Sequence, residues 1–255
     1  LSSARNYGVL KATSDWIIFV DSDDYVEKDY VRHLWELREQ FNADMAIARV
    51  VRENEDGTGR PAPVHNFENY CVASKQAISE VYKAEIVGWS AYGKIFRKKD
   101  LLNNPFPDGY YEDCACMYLI IDSCNKVAIG NYEEDYHYIN RDGSILRSKL
   151  KKDHYRIFDI CKEFEGFIRE EYPDLDIQTV LLYRLAVTQM LNCQEMSWDD
   201  YKAIFTKYRS LFRHNLFRVL NNRKLAKRQK YFMLIHSTTP LALKMQNYLL
   251  GRIRK

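Results

Sequence analysis

The residues Asp21-Ser22-Asp23-Asp24 follow directly on the apolar run Trp16-Ile17-Ile18-Phe19-Val20. A short run of β-branched and aromatic types, bounded by Ser14-Asp15 and by an acidic cluster, predicts a buried strand. Carboxylates two positions apart at the carboxyl end of such a strand point from one side of the backbone into the crevice where open α/β sheets bind ligands. Asp21 and Asp23 are expected to share that face while Ser22 points away. Mg²⁺ or Mn²⁺ is usually held by one or two carboxylates, with substrate phosphates filling the remaining positions, so the spacing suits a hard cation and a phosphorylated partner. A plainer reading is that Asp23 or Asp24 caps a helix beginning near Glu27, because Asp favours an N-cap and a first turn. Both can hold, with different Asp residues in each role. A calcium loop is excluded by spacing, since Val26 and Arg32 stand where it needs Gly and Glu.

A second constellation is Glu112-Asp113, expected to open a helix after the Pro107-Asp108-Gly109 turn. At a helix N-terminus the dipole favours an anion, which predicts that Asp113 is deprotonated at neutral pH. The alternative is a cap that serves stability alone.

The elements that must carry these groups follow from periodicity and turn signals. Helix is expected for Ser3 to Ala12, strand for Trp16 to Val20, helix for Glu27 to Phe41 and strand for Ala43 to Val51. Residues 55–61 form a turn-rich excursion, and Ser74 to Ile86 reads as a helix with Ala77, Ile78, Val81 and Tyr82 on one face. Glu112 to Cys124 is expected to be helical and Lys126 to Ile139 mostly extended, with helical periodicity from about His154 onward. A boundary near Leu150 divides the chain into 1–150 and 151–255.

Leu1-Ser2-Ser3-Ala4-Arg5-Asn6-Tyr7-Gly8, then a strand, then Asp21-Ser22-Asp23-Asp24, resembles the middle of a family 2 glycosyltransferase domain of the GT-A fold. Tyr92-Gly93-Lys94-Ile95-Phe96-Arg97 is similar to the family's aromatic-small-Lys-Leu-Phe stretch, and Phe106-Pro107 through Tyr111-Glu112-Asp113 to its Phe-Pro and Glu-Asp stretch. Tyr136-His137-Tyr138 with Arg141-Asp142-Gly143-Ser144-Ile145 is similar to the closing Tyr-x-Tyr and Arg-x-Gly-Ser-Ile. The order and spacing of these stretches are more specific than an acidic triplet alone. The resemblance implies an α/β fold, a partial GT-A, Rossmann-like mixed sheet followed by a C-terminal helical region. In that family the preceding strands carry the loops that hold the nucleotide base and ribose. None of those residues is here, so the expectation is an N-terminally truncated domain with weak or no nucleotide binding.

By the same resemblance the function is inverting, metal-dependent transfer of a sugar from a UDP-sugar to a cell-surface saccharide or lipid-linked acceptor. Asp113 corresponds to the catalytic base and Glu112 to its neighbour at the acceptor. Asp23 and Asp21 correspond to the Mn²⁺ or Mg²⁺ site, with Asp21 on the ribose or a metal-bound water. Arg5 is expected near the nucleotide base or phosphate, against the alternative of a surface arginine. Arg141 and Ser144 correspond to groups at the diphosphate, Gly143 supplying a hinge. His137 is a third metal ligand in some members, and a packing role is favoured for it here. Trp89 and Tyr92 either stack on a sugar or belong to the core. The competing function is an inactive fragment acting as a membrane- or partner-binding module. A hydrolase with Asp21 as nucleophile fits poorly, because Tyr25 stands where that pattern has Thr or Val.

Charge is unevenly distributed along the 255 residues. Of 38 Lys plus Arg, fourteen fall in 201–255, where there is no Asp or Glu, leaving 24 basic against 35 acidic residues in 1–200. Leu211, Phe212, Leu216, Phe217, Val219 and Leu220 recur at helical spacing among Arg209, Arg213, Arg218, Arg223, Lys224, Lys227 and Arg228, the pattern of a basic amphipathic helix. An anionic membrane surface is the favoured partner; packing on the acidic domain and nucleic acid are the alternatives, the last not expected. No apolar run reaches the length of about 20 residues that spans a bilayer. The six cysteines show no CxxC spacing, which argues against a disulfide scaffold and for a reduced, cytoplasmic setting, peripheral on the inner membrane face.

Overall fold

The structure, a computed structural model, describes residues 1–55, 59–60, 67–83, 87–132, 135–141, 149–193 and 196–240. The chain divides into two units, Leu1–Ser144 and Ile145–Lys255. In the first, α1 (Ser2–Lys11) leads to β1 (Trp16–Ile18), β2 (Tyr25–Val26) and α2 (Tyr30–Phe41), and then to β3 (Met45–Ala48), β4 (Val51–Asn54), β5 (Gly59–Arg60) and β6 (Tyr70–Val72). There follow α3 (Ser74–Lys83), β7 (Lys94–Arg97), α4 (Lys98–Asn103), α5 (Glu112–Asp122), β8 (Val127–Gly130) and β9 (Tyr136–Asn140).

One sheet has the order β1-β7-β3-β8-β6 and the other β2-β9-β4-β5. β3 and β8 are parallel, as are β4 and β9, and the remaining pairs are antiparallel. The same two chain segments therefore run side by side twice, first as β3 with β8 and then as β4 with β9. Met45-Ala46-Ile47-Ala48 is buried throughout, the near-continuous apolar run of a central strand covered on both faces.

Helix α2 lies on this centre because Tyr30, Leu34 and Leu37, at i, i+4 and i+7, form one apolar stripe. All three are wholly buried in a cluster with Ala46, Ala48, Ile95, Ala128 and Tyr136. Burying each leucine contributes about 1.5–3 kcal/mol before packing losses. Small strand residues allow the approach: a Cβ at Gly130 would fall 2.5 Å from Cδ2 of Leu37. The helix stops at Asn42, in the left-handed region at φ 45, whose N–H returns to the carbonyls of Arg38 and Glu39.

The mixed sheet followed by helices is the architecture expected from the sequence, with several boundaries displaced. The strand expected through Val20 ends at Ile18, with Phe19 bridging Tyr92. The helix expected from Glu27 begins at Tyr30, because Tyr25 and Val26 pair with His137 and Tyr136. The single strand expected over Ala43 to Val51 is two strands, the chain passing from one sheet to the other between Ala48 and Val51. Ala77, Ile78, Val81 and Tyr82 form the buried face of α3 as expected, and residues 84–86 of the expected helix lie outside the described residues.

The second unit is helical: α6 (Arg156–Glu171), α7 (Asp176–Asn192), α8 (Trp198–Asn221) and α9 (Lys227–His236). Each packs against the next, and Phe158 stacks on Tyr208 at 4.5 Å. Ser197 caps α8 by accepting the Asp200 N–H at 3.0 Å. Phe205, Phe212 and Val219 are wholly buried on α8, whereas Phe217 and Leu220 are exposed. The predicted apolar stripe is thus split between core and surface. Among the described residues no helix is long and apolar enough to cross a membrane. All six cysteines are free, as expected.

Candidate active site

Asp21 to Asp24 form a turn rather than a strand end, closed by the Asp24 N–H donating to the Asp21 carbonyl at 3.1 Å. Alternation along an extended backbone therefore does not orient these carboxylates; a tyrosine does. The Tyr136 hydroxyl accepts from the Asp21 N–H at 3.1 Å and donates to Oδ2 of Asp24 at 2.7 Å. Oδ1 of Asp24 accepts the Ile139 N–H at 2.9 Å. Asp24 is thus the anchor of the turn and not a helix cap. Burial raises its carboxyl above the ordinary value, the Ile139 and Tyr136 hydrogen bonds opposing that rise.

This leaves Asp23 exposed, and its carboxylate has no hydrogen-bond or ion-pair partner among the described residues. Asp21 uses Oδ1 in an ion pair with Arg5. Among the described residues no group of three or more His, Cys, Asp and Glu is arranged to hold a metal. Two hard carboxylates on a turn nevertheless fit Mg²⁺ or Mn²⁺ of the kind that a phosphate ligand completes. Arg141 lies beside this turn, its Nη2 donating to the Asp23 carbonyl at 3.0 Å. Ser144 lies outside the described residues.

His137 has other company. Its Nδ1 is 2.7 Å from Oε1 of Glu53 and its Nε2 is 3.1 Å from Oε1 of Glu27, with the Tyr25 ring stacked on it at 4.2 Å. Both ring nitrogens face carboxylates, and the Glu53 carboxyl is held below its ordinary value by the His137 hydrogen bond.

Arg5 joins the two acidic motifs. It is 8% exposed, with Nη2 on Oδ1 of Asp21 at 2.8 Å and Nη1 in a short contact with Oε1 of Glu112. Burial disfavours its charge, and the Asp21 hydrogen bond and the Asp21, Glu112 and Asp113 charges more than restore it. The guanidinium expected near a nucleotide base or phosphate pairs with the carboxylates of Asp21 and Glu112.

Glu112 and Asp113 open α5 as expected, but the expected ionisation of Asp113 is corrected. Burial, then the adjacent Glu112 charge, push its carboxyl up to about 7, against the Cys114 N–H, Arg5 and Lys94. Desolvation outweighs the helix terminus, even though the Cys114 N–H donates to Oδ1 at 2.7 Å. The preceding Tyr111 is buried with φ 63, a left-handed conformation costing on the order of 1–3 kcal/mol for such a residue and of a kind that gathers at functional sites.

Sequence reasoning missed Tyr136 as the group that holds the acidic turn, the buried Lys94 and the left-handed Tyr111. A lysine followed by Ile95 and Phe96 in a buried strand was a usable signal for Lys94. Tyr92 stacks on Tyr136 at 4.8 Å and Tyr138 at 5.5 Å, and half-buried Trp89 lies against Tyr82 at 5.7 Å.

Residues 1–110 match the family described as Glycosyl transferase family 2. Glycosyltransferase GlyA of Streptococcus pneumoniae serotype 4 is 40% identical over 221 residues, covering 83% of this chain and 32% of that protein. Glycosyltransferase GlyG of the same organism is 27% identical over 165 residues, covering 58% and 52%. The chain spans about a third of the first relative's length and about half of the second's. Among solved structures, S. aureus TarS 1-349 in complex with UDP-GlcNAc is similar with a TM-score of 0.47 and 18% identity over 93% of this chain and 62% of that one. Residues 1–110 thus match the family 2 glycosyltransferases, and both relatives are named as glycosyltransferases.

Proposed function

We propose that the protein is an inverting, metal-dependent glycosyltransferase that moves a sugar from a UDP-sugar to a saccharide or lipid-linked acceptor. The observation that supports this most is the Arg5 bridge, which ties the acidic turn to the helix start bearing Asp113. The acceptor hydroxyl and the departing diphosphate act on opposite faces of one anomeric carbon, so their two sets of groups must be fixed to each other. Asp23 and Asp21 would hold Mn²⁺ or Mg²⁺, which when bound supplies Lewis acidity to the departing diphosphate. Asp113 accepts the proton of the attacking hydroxyl, and an affinity near 7 suits a group that must take up and release it at neutral pH. Glu112, held by Arg5, orients the acceptor side, and Arg141 with Ser144 serves the diphosphate.

The test is release of UDP from a panel of UDP-sugars with Mn²⁺, Mg²⁺ or EDTA. Asp23→Ala and Asp113→Asn are expected to reduce release to background; full activity in either removes that residue's role.

The reading extends to an anionic membrane surface as the place of work. Supporting it, Phe217 is 78% exposed and Leu220 39% exposed on α8, a helix that also exposes Arg213 and Arg218. Exposed apolar groups among cations suit an interfacial helix.

A further inference from the structure

β9 and the residue that follows it hold the acidic turn at Asp21, Asp23 and Asp24. The Tyr136 hydroxyl meets the Asp21 N–H and Oδ2 of Asp24, and the Ile139 N–H donates to Oδ1 of Asp24 at 2.9 Å. Just past the strand, Nη2 of Arg141 donates to the Asp23 carbonyl at 3.0 Å.

A tyrosine hydroxyl has one proton to give. Because this one accepts from the Asp21 N–H at 3.1 Å, its proton is directed to Asp24 at 2.7 Å. Burial raises the phenol well above its ordinary value, so the proton stays on the oxygen through the neutral range. Both oxygens of Asp24 are thereby occupied by donors, and Oδ1 of Asp21 is occupied by Arg5. The Asp23 carboxylate is left exposed on the same turn. One hydroxyl thus sorts the aspartates into an anchor and the groups that remain open to a cation.

The phenol is itself fixed. Tyr136 is wholly buried, lies opposite Val26 of β2 in the sheet register, stacks on Tyr92 at 4.8 Å and meets Tyr30 edge-on at 5.6 Å. The Tyr30 hydroxyl accepts the Gly93 N–H at 3.1 Å, which ties that ring to the central sheet as well.

We propose that Tyr136 is the positioning residue of the acidic turn, its hydroxyl keeping Asp24 as the anchor so that Asp23 and Asp21 meet a divalent cation already arranged. This deepens the transferase reading and rests on it in placing the cation on those two carboxylates. Ligands on a loose turn must be ordered when the cation arrives, whereas ligands held beforehand are spared that cost.

The test is binding of Mn²⁺ alone to the full chain, read by the electron paramagnetic resonance of free Mn²⁺ and by broadening of the Asp21 to Asp24 amide signals in ¹⁵N NMR spectra. Tyr136→Phe removes the hydroxyl and keeps the ring against Tyr92 and Tyr30, and circular dichroism checks the fold. It is expected to weaken Mn²⁺ binding about tenfold, the equivalent of one or two lost hydrogen bonds. Tyr201→Phe removes another phenol's bond, to the Pro240 carbonyl in the helical unit, and is expected to leave Mn²⁺ binding unchanged. A merely structural Tyr136 would lower the urea midpoint on losing its hydroxyl without moving the affinity. Folded Tyr136→Phe that binds Mn²⁺ as tightly as the wild type overturns the proposal, and so does tighter binding, which would mean that the freed Asp24 had become a ligand. Wild-type binding no stronger than that of Asp23→Ala overturns it too. The measurement needs no sugar donor. Weakened binding in Tyr136→Phe without UDP release by the wild type upholds Tyr136 and removes the transferase reading, whereas UDP release with unchanged Mn²⁺ affinity does the reverse.

Discussion

Nη2 of Arg5 hydrogen-bonds Oδ1 of Asp21 at 2.8 Å, while its other arm holds Glu112. Arg5 and Glu112 are both nearly excluded from water, so removing the cation strands a buried anion. Arg5→Met is expected to lower stability by about 3–5 kcal/mol, as breaking one side of a buried pair does. Adding Glu112→Gln should recover part of the loss, which a double-mutant cycle in urea would read as a coupling between the two sites.

Asp113 and Lys94 make stability depend on pH in opposite directions. Asp113 is raised from 3.8 to about 7, so its contribution is full below pH 3.8 and is lost as pH climbs to about 7. Lys94 is lowered from 10.5 to about 7, so its contribution is full above pH 10.5 and is lost as pH falls to about 7. Asp113→Asn is expected to flatten the decline of the urea midpoint between pH 4 and 7, and an undiminished decline would contradict the assignment. In the active protein, transfer should rise as pH passes through about 7.

What the sequence made legible, and what it hid, follows from the range of each interaction. The face of α3 at Ala77, Ile78, Val81 and Tyr82 is a local period and was readable. Asp21 to Asp24 were recognisable as a site, but their orientation comes from Tyr136, at a separation of 112 residues from Asp24. Arg5 reaches Glu112 across 107 residues, which no local pattern can convey. The Asp113 expectation failed because a helix terminus is visible in sequence whereas burial is not. The Ala43 to Val51 strand was read as one because crossing from sheet to sheet at Arg49 and Val50 needs neither Gly nor Pro.

Gly130 is a packing requirement, since a Cβ there would lie 2.5 Å from Leu37 and 3.0 Å from Tyr132. Gly130→Ala is expected to cost about 1–3 kcal/mol through overpacking, seen as a lower urea midpoint with unchanged slope.

In the helical unit, His236 is buried between the Thr188 hydroxyl at 3.1 Å and the Phe232 carbonyl at 2.8 Å. Burial, aided by Arg184, lowers it from 6.5 to about 3. Its contribution is full above pH 6.5 and is lost as pH falls toward 3, because the unfolded chain takes up the proton first. His236→Phe should weaken the acid dependence in that window, followed by circular dichroism.

The exposed apolar pair on α8 predicts a lipid dependence. Phe217→Ser with Leu220→Ser should reduce co-sedimentation with phosphatidylserine vesicles and leave phosphatidylcholine controls unchanged; equal sedimentation would reject the surface.

Tyr136 is wholly buried, stacks on Tyr92, meets Tyr30 edge-on at 5.6 Å, and holds the acidic turn by its hydroxyl. Because side chains alternate along a strand, a one-residue slip in the register of β9 would turn this phenol out of the core and bring His137 to its face. The constraint therefore falls on the register of β9 and not on the length of the connection before it: a segment graft must preserve the phase of Tyr136.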